Sequence, residues 1–132
     1  MKIFVLLYCH TDQDLPGNIL FFETVRTGFP DANIHVFDND SKPVYRDLFR
    51  EKTREINGNF HVIKNAVSHS SFIEFLSNAE DEPFYVIDPD TIWYDKMSEQ
   101  YDAPIAGRLI PDFYTHTRDV APLPDYIPAA YS

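Results

Sequence analysis

The sequence predicts an α/β fold: a single-domain, three-layer α/β/α sandwich around a mainly parallel sheet. Three observations carry that expectation. Runs of β-branched and aromatic residues alternate three times with stretches of helical apolar spacing, the pattern of successive βαβ units. Each run closes on a cluster of polar residues. With 44% hydrophobic and 15% aromatic residues among 132, the chain has material for a packed core, and a domain of this size buries roughly two-thirds of its unfolded surface.

Residues 2–9 (KIFVLLYC) read as the first strand. Asp14 is placed to cap a helix with Leu15 and Pro16 in its first turn. Leu15, Ile19, Phe22 and Val25 form its apolar stripe, and Gly28-Phe29-Pro30 ends it. Residues 33–37 make a second strand, closed by DNDS. Ser41 and Pro43 open a second helix in which Val44, Leu48 and Ile56 share a face, stopped by Asn57-Gly58. A short third strand spans residues 60–63. Ser71 to Glu74 has the capping-box spacing at the head of a helix carrying Phe72, Phe75, Leu76 and Ala79. PFYVI, residues 83–87, reads as a fourth strand covered on both faces, and residues 105–110 (IAGRLI) as a fifth. Residues 1–110 therefore form the α/β domain. Residues 111–132, rich in proline, form an extended tail packed on it or partly mobile.

Charge narrows the partners. A net charge of −10 argues against nucleic acid or an anionic membrane, both of which need a basic face. Lys42, Arg46, Arg50, Lys52 and Arg54 gather near one helix, but Asp47, Glu51 and Glu55 are interleaved with them, as on a solvated face. Cys9 is the single cysteine, so no internal disulfide forms; a reducing, cytoplasmic setting is the expectation. The opening MKIFVLLYC has one charge and no small-residue cleavage site, and it reads as a strand rather than a leader. No segment reaches the ~18 apolar residues of a membrane span.

The chemistry gathers at strand ends. His10, Thr11 and Asp12 follow the first strand; Asp38, Asn39 and Asp40 the second; Lys64 and Asn65 the third; Asp88 and Asp90 the fourth. In parallel sheets ligands bind beyond those carboxyl ends. Asp88-Pro89-Asp90 stands out, because two carboxylates this close repel unless a cation, a donor or a shared proton intervenes. Magnesium or manganese suits such oxygen ligands. A plain Asp-Pro turn is the competing reading. Trp93 and Tyr94, just beyond, fit either stacking on a ligand or packing in the core.

Asp88-Pro89-Asp90 behind hydrophobic FYVI, together with the acidic VFDNDS of residues 36–41, resembles the nucleotide-binding half of GT-A-type glycosyltransferases, the nucleotide-diphospho-sugar transferases. The resemblance covers residues 1–110 in a short form of that family. It implies a UDP-sugar donor, a manganese or magnesium ion and transfer to a hydroxyl acceptor. On this likeness Asp90 binds the metal that bridges the two phosphates, and Asp88 shares the metal or holds the ribose. Asp38 meets a uracil-like base, Tyr8, His10 and Thr11 shape the nucleotide cleft, and Lys64 lies near base or phosphates. Asp112 and His116 are candidates for a base and a further metal ligand; no catalytic residue is assigned.

Other strand-end chemistries fit less well. A haloacid-dehalogenase phosphatase places threonine four residues after its first aspartate, whereas Ile92 stands there. A sugar-nucleotide pyrophosphorylase needs a Gly-rich basic loop, which YCHTDQD is not. The alternative from another class is a non-catalytic nucleotide-sugar-binding or assembly domain lacking the acceptor half.

Overall fold

KIFVLL forms β1 (Lys2–Leu7), two residues shorter than expected. Its alternation sends Ile3, Val5 and Leu7 into one apolar cluster, while Phe4 and Leu6 join another. The computed structural model describes residues 1–97, 107–108 and 126–127. It divides the chain into the units Met1–Met97 and Ser98–Ser132.

Within the first unit, β2 (Asn33–Asn39), β3 (Asn59–Ile63) and β4 (Phe84–Val86) join β1 in a four-stranded sheet of order β3-β2-β1-β4. Every pairing is parallel: Lys2 lies beside Asn33 and Phe84, and Val36 beside Phe60. The chain is thus α/β with an all-parallel sheet and three connecting helices, α1 (Leu15–Gly28), α2 (Pro43–Glu55) and α3 (His69–Ala79). Phe21, Phe22 and Val25 of α1 and Phe49 of α2 fill the larger cluster around Ile3, Val5, Leu7, Ile34 and Val36. Phe72 and Leu76 of α3 fill the smaller one, against Phe4, Leu6, Phe37, Phe84 and Val86. Each such side chain, once fully buried, contributes about 1.5–3 kcal/mol.

Several expectations are corrected. Asp14 stands at the α1 N-cap but makes no side-chain cap bond. On α2 the buried face is Tyr45, Phe49 and Thr53, one residue on from the expected stripe, and Val44 is exposed. Aromatic bulk decides it: turning Tyr45 and Phe49 outward would expose far more apolar area than turning Val44 outward. Ser41 is not the start of α2, because Lys42 holds the N-cap position. The capping serine of α3 is Ser68, three residues before Ser71, and Phe75 is exposed. β4 is half-buried along its length rather than fully covered. Of residues 105–110, Gly107–Arg108 forms β5, which pairs antiparallel with β6 (Tyr126–Ile127) in a separate sheet and not with the parallel one. Among the described residues no helix is long and apolar enough to cross a membrane.

Candidate functional site

The strand order creates the site. From β1 the chain moves through β2 and β3 on one side, and β4 then lies on the other side of β1. The connections leaving β1 and β4 therefore diverge, which opens a crevice at the carboxyl end of the sheet. A cleft of about 390 Å³ lies there, lined by Tyr8, Gln13, Asp14, Gly17 and Asn18 after β1 and by Asp88, Pro89 and Asp90 after β4.

Its two walls are tied together. Asn18 Nδ2 donates to the Pro89 carbonyl at 2.8 Å, and a Cβ added to Gly17 would lie 3.9 Å from Asp90 Cβ. Asn18 is only 6% exposed, and its Oδ1 has no partner among the described residues. The amide orientation follows from chemistry, since the reverse would press oxygen against the Pro89 carbonyl. A buried, unpaired acceptor of this kind costs about 1–3 kcal/mol until a donor or cation reaches it. The first turn of α1 lines the same cleft with no acidic residue and no side-chain cap bond, and the Asp14 carboxylate at the N-cap is the charge that faces the positive end of its dipole.

Carboxylates dominate the lining. Asp14, Asp88 and Asp90 face the cleft without a lysine or arginine among its walls. Asp88 is largely exposed, with His69 Nε2 3.9 Å from its Oδ1. Thr91 Oγ1 donates to the Asp88 carbonyl at 3.0 Å, closing the acidic triplet as a turn. Among the described residues no three His, Cys, Asp or Glu side chains are close enough to hold an ion by themselves. Magnesium sites often need only one or two carboxylates when phosphate oxygens complete the shell. The carboxylate oxygens of Asp88 and Asp90 are of the kind that class of ion takes.

Tyr8, Asp88 and Asp90 are therefore brought together, and the remaining sequence candidates are not. His10 stands behind Tyr8, the rings stacked at 4.1 Å, with its Nε2 2.6 Å from the Asp40 carbonyl. Thr11 donates through Oγ1 and N to Asp14 Oδ2, at 3.1 and 3.3 Å. Asp38 is fully buried; Arg46 Nε donates to its Oδ2 at 2.9 Å and the Ser41 amide at 3.3 Å, while Oδ1 has no partner among the described residues. Arg46 also lies 3.6 Å from Asp40, so the acidic segment after β2 is partly neutralised from α2. Ser41 Oγ accepts from the Cys9 amide, and Tyr45 Oη donates to Asp12, which raises its pKa to about 12. These contacts staple the loop after β1 to the loop after β2. Lys64 sits on an exposed bend after β3. Asp112 and His116 lie outside the described residues.

Burial pushes the Cys9 thiol up to about 11, with Asp14, Asp38 and Asp12 adding to the effect, so thiolate chemistry is disfavoured. Trp93 packs on Phe29 at 4.7 Å and is a core residue, whereas Tyr94 is 88% exposed. A second hollow, about 370 Å³, surrounds Arg26 near the far end of α1. There the guanidinium is spent on the carbonyls of Ile56, Phe29 and Ala32, which closes a helix end.

The sequence reading missed Gln13, Gly17 and Asn18. In QDLPGN, residues 13–18, they look like filler at the head of a helix; only the switch-point topology turns that stretch into a wall. No family model, no curated protein and no solved structure matches the chain, so a functional reading rests on the geometry of this cleft.

Proposed function

We propose that the chain is a metal-dependent glycosyltransferase of the nucleotide-diphospho-sugar type, built as a three-layer α/β/α sandwich. It takes a UDP-sugar donor in the switch-point cleft and transfers the sugar to a hydroxyl acceptor. The observation that supports this reading most is the placement of Asp88 and Asp90 on that cleft, opposite the uncapped first turn of α1.

A diphosphate would not enter a hollow walled by three carboxylates without a cation. Asp88 and Asp90 would hold manganese or magnesium, which supplies neutralisation of the charge that builds on the departing diphosphate. Asn18 Oδ1 offers an acceptor for a ribose or sugar hydroxyl. Tyr8, 52% exposed and backed by the His10 ring, offers a face on which a base can stack. Thr11 acts one step back by orienting Asp14. A base contact at Asp38 requires the ligand to open the cover of the Asp38–Arg46 pair, which makes Tyr8 the stronger base contact. Lys64, on the exposed bend after β3, lies outside the lining of this cleft and takes no part in this reading.

The test is calorimetric titration of UDP with manganese and with excess EDTA, on wild type and Asp90→Asn. Metal and nucleotide should bind with positive coupling, about 1–3 kcal/mol, and Asp90→Asn should remove most of it with the thermal midpoint unchanged. UDP affinity indifferent to EDTA would sink the reading. Incubating UDP-sugars with manganese then separates a transferase, which slowly releases free UDP, from a binding or assembly domain, which releases none.

A further inference from the structure

Away from the cleft, a row of four rings crosses the sheet: Phe4, His35, His61 and Phe37. Parallel register sets Phe37 beside His61 and His35 beside Asn59, so the two histidines stand diagonally on one face of adjacent strands. Phe4 stacks on His35 at 5.3 Å, His35 on His61 at 5.3 Å, and His61 on Phe37 at 4.5 Å. His35 Nδ1 and His61 Nε2 point at one another 3.0 Å apart. One of these nitrogens must carry the proton and the other accept it.

We propose that His35 and His61 form a binding site for a divalent ion of the zinc, nickel and copper class, held by His35 Nδ1 and His61 Nε2. Neutral imidazole is the ligand these ions prefer. Two nitrogens about 2.0–2.1 Å from a tetrahedral zinc stand roughly 3.3–3.4 Å apart. The pair therefore needs to open by a few tenths of an ångström and both rings to tilt until their lone pairs converge on the ion, while paired strands fix both backbones. The ion takes the place of the shared proton, so its ligands must be available without that proton. Burial, then His61 and Lys2, lowers the proton affinity of His35, with Glu80 opposing; the neutral form is favoured. Lys2 and Glu80, the charged groups that act on His35 besides His61, are paired with each other at 2.8 Å. His61 is exposed, which leaves the outer coordination positions to water. The site is chemically distinct from the cleft, where every candidate donor is oxygen.

Zinc is titrated calorimetrically near neutral pH into wild type, His35→Gln, His61→Gln and the surface control Asp47→Asn, with imidazole nitrogen NMR spectra of the wild type recorded alongside. One ion should bind per chain at the histidine pair. Each histidine variant should lose at least about tenfold in affinity there, the lower bound for disturbing even a ligand's outer-shell partner, and Asp47→Asn, an exposed change on α2, should lose nothing. Should the glutamine variants fail to fold, the spectra decide: the His35 Nδ1 and His61 Nε2 resonances must move on zinc addition. Equal zinc binding in folded histidine variants, or unmoved resonances, would reduce the pair to a structural hydrogen bond and overturn the proposal.

Discussion

Gly28 is glycine because an indole lies on it. A Cβ there would come within 2.7 Å of Trp93 Cε3 and 2.8 Å of Cδ2, closer than any side chain tolerates. Trp93 in turn donates Nε1–H to Thr91 Oγ1 at 3.0 Å, and its backbone N–H goes to Thr24 Oγ1 at 3.1 Å. The segment after the acidic triplet is thereby strapped along α1. Gly28→Ala should destabilise by about 1–3 kcal/mol, the usual cost of overpacking. Gly17 gives the opposite expectation from the same helix. Its added Cβ meets Asp90 at an ordinary 3.9 Å and no glycine here has positive φ, so Gly17→Ala should stabilise by about 0.4–1 kcal/mol. Urea denaturation of the two variants checks both signs. Sequence spacing left Trp93 balanced between ligand and core because a tryptophan after a strand serves either; the close approach to Gly28 was not visible without the crossing geometry.

Serine choice at the head of α3 illustrates what an element reveals about itself. Ser68 Oγ accepts from the Ser71 amide at 3.1 Å, whereas the Ser71 hydroxyl only accepts from Ser68 Oγ at 2.9 Å. Ser68→Ala should cost about 0.5–2 kcal/mol in a thermal or urea melt, and Ser71→Ala markedly less. SHSS offers serines one turn apart, and apolar spacing through Phe72 and Leu76 does not say which one ends the loop. Strands and helices were legible as kinds, because alternation and the 3.6 period survive without neighbours. Their polar ends were not. Ser41 and Asp14 look like caps, but Ser41 bonds to the Cys9 amide in another loop and Asp14 to Thr11 within its own. The same ambiguity divided the site. Polar residues at a strand end either meet a ligand, as Asp88 and Asp90 are placed to do, or staple loops, as Asp38 and His10 do.

The stability of the whole chain should respond to pH through His35. Burial first, then His61, lowers its pKa below the ordinary 6.5. Above pH 6.5 neither state takes the proton and stability is flat; below it the unfolded chain binds a proton that the folded chain resists. Stability should therefore fall as pH drops from 6.5 toward the lowered folded value, and His35→Phe should flatten that limb when urea midpoints are compared across the range. Alternation foretold parallel strands, but not that β4 would return beside β1 instead of extending past β3, since pairing partners so far apart leave no local mark. That return has a kinetic meaning. β1 with β2, and β2 with β3, are joined by single crossovers, whereas Lys2 meets Phe84 only after nearly the whole unit has been laid down. Closing so long a loop carries the largest entropic cost in the sheet. The cleft, which exists only where β1 and β4 are side by side, is then the last part to appear during folding and the first to vanish on opening. A molecule held there lengthens the lifetime of the native chain without hastening its formation.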